Sequence, residues 1–219
     1  MNLKYFGLCL VFILSFKTEI HTDSWVNLFD GTHLENWRTY QCDCISKGWT
    51  IESGDLVRSG PARDLVTKEK YQDFILELSW KISRGGNSGI ILRANENHQY
   101  AFMSGIEMQI LDDQFHPDGK SPLTSAGAVY GLFPNNSNIV SRDNHWYPVR
   151  IEAIGTNIKF YLEDNLINDI HIGSAAWNEA IQKSKFSSLK NYGLLSEGNI
   201  VLQDHGDKVS FRNIRILAL

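Results

Sequence analysis

The stretch FILELSWKIS, residues 74–83, decides the fold. Phe74, Leu76, Leu78, Trp80 and Ile82 alternate with Ile75, Glu77, Ser79 and Lys81, so every second side chain is a large hydrophobe. That period of two puts the hydrophobes on one face of a strand and leaves the other face to solvent, as in antiparallel sheets buried on one side. FRNIRIL (211–217) also alternates apolar and polar residues. Further short runs, among them GWTIESGDLVRS, SGIILRA, YAFMSGIEMQIL, AGAVYGLF, YPVRIEAIG, IKFYLEDN and LINDIHIG, are bounded by turn residues. Such a succession of short strands predicts a β-sandwich. SAAWNEAIQKSKF (174–186) departs from it, placing Trp177, Ile181 and Phe186 at helical spacing behind Ser174, a residue suited to cap a helix. Without repeats or a Pro/Gly-rich linker, residues 25–219 read as one domain.

A chain of 219 residues, 42% hydrophobic and 21% charged, can bury a sizeable core without disulfide or metal staples. The net charge of −4, with no Lys/Arg cluster among aromatics, argues against a nucleic-acid partner. Residues 1–22 read as a secretory signal, because Lys4 is followed by an uncharged run from Tyr5 to Phe16. The run is too short to span a bilayer. Export to the periplasm or the exterior, with no stable membrane span, is therefore expected. Cys42 and Cys44 stand two residues apart, a spacing that rarely reaches disulfide geometry on an extended chain, so they read as loop residues.

Polar side chains on a pleat face can build a site where that face lines a cleft. Asn87, Gly89, Ile91 and Arg93 share a face in NSGIILRA, Glu107 and Gln109 in GIEMQIL, and Val201, Gln203 and His205 in IVLQDHG. Buried without partners, an Arg, a Glu, amides and a His are costly. Sugar hydroxyls, which both donate and accept, would supply those partners. Structural readings stand beside this one: a cross-strand Arg93–Glu107 ion pair, His205 as a turn residue, and Asp112 and Asp113 as turn formers. GGNSG (85–89) precedes a strand and has no Lys-Ser/Thr, so it is not a phosphate loop, and no organic cofactor is expected. Glu107-Met-Gln109-Ile-Leu-Asp112 has the Glu-x-Asp-x-x-Glu spacing of retaining jelly-roll glucanases, with an amide in place of the middle carboxylate. Double displacement needs two carboxyl groups about 5 Å apart, which Glu107 and Asp112 would have to provide.

Taken together, WVNLFDGTHLENW, DFILELSWKISRGGNSGIILR, GIEMQILDD, TSAGAVYGLF, NHWYPVRIEAIGTNIKFYLEDN and LQDHGDKVSFRNIRI resemble the 3-keto-disaccharide hydrolase domain family, in the family's order, from Trp25 to Ile216. The resemblance implies an all-β, concanavalin A-like jelly-roll sandwich of two antiparallel sheets with one short helix. It implies an exported enzyme that splits the glycosidic bond of 3-keto-glycosides, with a divalent metal in some members. A ketone at C3 acidifies the hydrogen on C2, so a base can remove it and the enolate can expel the C1 substituent; water can then add back. On that reading Glu107 and His205 are the central pair, as base and acid or as ligands of a divalent ion. Asn87, Arg93, Gln109 and Gln203 hold the hydroxyls of the carbohydrate substrate, and Asp112 or Tyr130 closes one end. A lectin-like carbohydrate-binding module and a retaining glucanase-like hydrolase are the alternatives. Two departures from the family pattern are Tyr161-Leu-Glu-Asp-Asn165, a hairpin turn without its usual glycine, and the Cys42-Asp-Cys44 insert. The oligomeric state is open.

Overall fold

The computed structural model describes residues 24–219, so the expected signal segment, residues 1–22, lies outside the described residues. Thirteen strands follow in chain order within them: β1 (Val26–Phe29), β2 (Trp37–Thr39), β3 (Trp49–Glu52), β4 (Asp55–Arg58), β5 (Leu65–Thr67), β6 (Phe74–Ile82), β7 (Asn87–Ala94), β8 (Ile106–Leu111), β9 (Tyr147–Ile154), β10 (Asn157–Leu162), β11 (Asn165–His171), β12 (Asn199–Leu202) and β13 (Val209–Ala218). The larger sheet runs β11, β10, β9, β6, β13, β4, β3, with β1 paired to the second half of β13. The smaller sheet runs β2, β5, β12, β7, β8, and all pairings are antiparallel. This is the expected sandwich of two antiparallel sheets.

The alternation of FILELSWKI holds along β6: Phe74, Leu76, Leu78, Trp80 and Ile82 are buried between the sheets, and the residues between them are partly exposed. In β13 the period is broken by a bulge at Arg212–Arg215, where Asn213 takes a positive φ. The extra residue resets the phase, so that Phe211, Ile214 and Ile216 all face inward. Trp37, Trp80, Phe74, Phe160 and Phe211 fill the core.

The expected helix is α1 (Ala175–Lys183), and Ser174 caps it by accepting from the Trp177 amide at 3.2 Å. It runs into a 3-10 turn, Lys185–Ser188, and Trp177 and Phe186 anchor the pair in the core. No helix among the described residues is long and apolar enough to cross a membrane.

Two local expectations fail. AGAVYGLF (126–133) forms no regular strand. It lies along the edge of β8 instead, with Ala128 accepting from the Gln109 amide and the Tyr130 amide donating to the Glu107 carbonyl, each at 3.0 Å. It thereby covers an edge that would otherwise be open. Cys42 and Cys44 do form a disulfide. The chain there is not extended: Gln41 has φ 58°, and the Thr39 amide reaches the Cys44 carbonyl at 2.7 Å. The tight loop brings the two Cα atoms to 5.2 Å, inside disulfide range.

Candidate active site

The register of the smaller sheet builds the site. Leu202 pairs with Leu65 and with Ile90, Val201 with Val66 and with Ile91, Gly89 with Gln109, and Ile91 with Glu107. Leu65, Ile90, Leu202 and Met108 point into the core, so the residues alternating with them face outward. Across the outer face one row reads Asp64, Gln203, Gly89, Gln109, and the next reads Val66, Val201, Ile91, Glu107. Neighbouring strands are about 4.8 Å apart, so the acidic ends of the two rows are separated by only a few strand widths.

Glu107 bridges the rows. A Cβ at Gly89 would sit 2.7 Å from Glu107 Oε1 and 3.0 Å from its Cγ and Cδ. The missing side chain of Gly89 is thus the space in which the Glu107 carboxyl lies, tilted toward the row that holds Gln203 and Asp64. Glu107 is 5% exposed. Burial pushes its pKa up from 4.5 to about 8; the Lys185 cation and the Gln203 amide pull it down, and the Asp64 charge adds to the rise. Asp64 is itself raised, to about 6, by burial first and by the charge of Asp204, against the hydrogen bond its Oδ1 accepts from the Asp204 amide at 2.9 Å. The site therefore holds two interacting carboxyl groups whose environments separate their titrations.

Around them stand three amide oxygens without partners. Among the described residues, Asn87 Oδ1, Gln109 Oε1 and Gln203 Oε1 are buried and accept no hydrogen bond. The Gln109 side chain is held by its Nε2, which donates to the Thr124 carbonyl at 3.1 Å, and the Gln203 backbone by its amide, which donates to the Gly89 carbonyl at 2.9 Å. Unpaired buried acceptors cost free energy. Here all three stand on the outer face that carries Glu107, an arrangement that hydroxyl donors would satisfy. Tyr130 joins them through its segment's bonds to β8, and its phenol is raised by burial, then by the charges of Asp118 and Glu107.

Other expected site residues lie elsewhere. Arg93 does not share the face of Asn87 and Gly89. A bulge between Ile91 and Ala94 turns it over, with φ 51°, and its guanidinium donates to the Gln72 carbonyl at 2.6 Å and the Gly155 carbonyl at 2.8 Å. It ties the smaller sheet to the larger and forms no pair with Glu107. Asp112 is fully buried and accepts from the Gly85 amide at 2.7 Å and the Gln114 amide at 3.2 Å, so both of its oxygens serve the turn. That removes the acid a glucanase-type double displacement would require of it. His205 is exposed at the tip of the turn after Gln203, and it is not among the groups that perturb Glu107.

A divalent ion at Glu107 and His205 does not fit this arrangement. No group of three or more His, Cys, Asp or Glu side chains among the described residues is placed to hold a metal, and the cation whose charge acts on Glu107 is Lys185. A wide cleft of about 890 Å³ lies on the outer face of the larger sheet, lined by Glu77, Arg150, Glu152 and Arg215. Those charges pair with one another at 2.6–2.9 Å, and among the described residues no unpartnered buried atom lines it, so its size does not make it the reactive centre.

Asp64 and Lys185 escape a reading by strand faces. Asp64 precedes the three-residue LVT strand, where only its parity with Val66 carries a signal. Lys185 comes from the turn after α1, which no alternation rule reaches.

Residues 24–217 match the 3-keto-alpha-glucoside-1,2-lyase-like domain family. The chain is 30% identical over 237 aligned positions to the 3-keto-disaccharide hydrolase of Bacteroides thetaiotaomicron, covering 94% of this chain and 82% of that protein. A Parabacteroides distasonis crystal structure, provisionally named a glycosyl hydrolase, superposes with a TM-score of 0.83 at 26% identity over 89% of this chain and 94% of that one. The carbohydrate-binding module CBM66 of Bacillus subtilis shares the fold, with a TM-score of 0.53 at 21% identity over 84% of this chain and 96% of that one. With a family match across nearly all of the described residues, the chain belongs to the 3-keto-alpha-glucoside-1,2-lyase-like domain family.

Proposed function

We propose that this chain cleaves the glycosidic bond of 3-keto-glycosides by removing the proton on C2 and expelling the substituent on C1. The observation that carries the reading is the buried Glu107 carboxyl lying over Gly89 among the unpartnered oxygens of Asn87, Gln109 and Gln203. Those acceptors suit the hydroxyls of one sugar ring, and a carboxyl that keeps its proton to about pH 8 is a proton donor at neutral pH. A second, half-buried carboxyl, Asp64, titrates near 6 and is ionised there.

The roles follow from the two titrations. Asp64 takes the C2 proton, and the C–H electron pair moves into the C2–C3 bond while the carbonyl pair moves onto O3. As the C3 carbonyl re-forms, the C2 electrons make the C1–C2 double bond and the C1–O bond breaks. The departing oxygen keeps that bond's pair and receives the Glu107 proton. Addition of water across C1–C2, with hydroxyl to C1 and hydrogen to C2, completes a net hydrolysis. His205 at the rim and Tyr130 beside Glu107 contact the outer hydroxyls. The twelve-residue uncharged run after Lys4 supports an exported enzyme.

The test is aglycone release from a 3-keto-glucoside and from its unoxidised parent, by wild type, Asp64→Asn and Glu107→Gln. Wild type is expected to release aglycone from the oxidised substrate alone, and each variant to lose roughly 10²-fold or more in kcat/KM. In D2O, deuterium should appear at C2 of recovered substrate or product. Comparable release from the parent would overturn the reading, and binding without turnover would make the chain a carbohydrate-binding module.

A further inference from the structure

We infer that Lys185 is the electrophile of the site, its ammonium holding the negative charge that develops on the substrate's ketone oxygen. The inference rests on the reading above and deepens it. Lys185 opens the 3-10 turn behind α1, where buried Phe186 fixes the backbone by stacking on Tyr192 at 4.1 Å. Its Nζ stands 4.2 Å from the Tyr130 ring centroid and 5.3 Å from those of Phe102 and Phe186. Three aromatic faces thus hold the ammonium in place by cation–π attraction. Among the described residues it has no carboxylate partner, unlike Lys183 two residues before it, which pairs with Glu179 at 2.5 Å.

The rings belong to the site. Tyr130 is tethered to the Glu107 carbonyl through its amide, and Phe102 packs against the cluster that contains Val66, Ile91 and Val201, the apolar part of the row that ends in Glu107. The groups that act on Glu107 are Lys185, Asp64 and Gln203, and Glu107 in turn acts on Tyr130 and Tyr192. Lys185 is the one cation in that set. A reaction through an enolate needs a positive group where charge appears on oxygen, and a pre-placed cation lowers that barrier without reorganising at the moment of reaction. The ammonium acts by attraction alone, forming and breaking no bond.

The experiment compares Lys185→Met and Lys185→Arg with wild type on a 3-keto-glucoside, across pH. Lys185 is exposed, so both variants should fold with unchanged melting. We expect Lys185→Met to lose on the order of 10²-fold in kcat with KM little changed, and Lys185→Arg to recover part of it. The alkaline limb of the pH profile, set by Glu107, should move upward in Lys185→Met, because the cation that favours its ionised form is gone. Wild-type turnover with Lys185→Met within threefold of wild type and an unmoved limb would overturn the role of Lys185 alone. Absence of wild-type turnover would overturn the underlying reading, and the role with it.

Discussion

Replacing Glu107 by Gln should make the protein more stable at neutral and alkaline pH while cutting kcat/KM by roughly 10²-fold or more. The carboxyl titrates near 4.5 when exposed and at about 8 in the fold. Between those values the folded chain binds a proton that the unfolded chain has released, so wild-type stability falls as pH rises through that window. At 1.36 kcal/mol per pH unit, the loss reaches on the order of 3 kcal/mol at pH 7 and 4 kcal/mol at pH 8. Gln keeps the shape and cannot ionise, so its stability carries no such slope. The difference between the two proteins should be near zero at pH 4, below both values, and grow to its full size by about pH 9. For a domain of this size that corresponds to a melting temperature roughly 6–12 °C higher for the variant at pH 7. Asp64 contributes to the pH dependence of both proteins and largely cancels in the comparison. Urea unfolding of both proteins from pH 4 to 9 measures the gap directly. Parallel curves would show that Glu107 is not held protonated by the fold, and the acid role assigned to it would fall.

Gly89→Ala should leave melting within a few degrees of wild type yet cut kcat/KM by roughly 10-fold or more, since the new methyl takes the space of the Glu107 carboxyl; full activity would mean that the carboxyl works from another position. Asp164→Gly should stabilise the β10–β11 hairpin by about 0.5–1 kcal/mol, because Glu163 and Asp164 hold φ of 48° and 63° in a turn made for glycine. A lower melting temperature in that variant would show that the turn carries no such strain.

What sequence could supply to the fold was the pattern of one-sided strands. FILELSWKI is legible because it is a central strand with one face on the core, where period two survives intact. Legibility failed where local geometry interrupts that period. The bulge in β13 resets FRNIRIL, the bulge in β7 rotates Arg93 off its expected face, and AGAVYGLF borrows hydrogen bonds from β8 without becoming a strand. The same cause explains the cysteines: a left-handed Gln41 closes a loop that spacing alone reads as open. In the two bulges and the cysteine loop one residue with positive φ marks the break, and no composition rule reports it.

The site shows the same division with a chemical consequence. Glu107, Gln109, Gln203 and Asn87 were legible because they stand on strand faces, and strand faces obey parity. On the proposed reading they receive a sugar ring and carry one proton. The second carboxylate and the cation were not legible, since Asp64 stands at the edge of a three-residue strand and Lys185 in a turn whose placement depends on Phe186 stacking against Tyr192. Rigid strands thus fix what must bind in one geometry, and connecting segments supply the charges that a particular chemistry requires. A neutral amide at Gln109, where a glucanase-type motif would put a helper carboxylate, fits that division. On the proposed elimination, a further anion at position 109 would repel the negative charge assigned to Lys185, so an enolate route gains from an amide where double displacement would use a carboxylate.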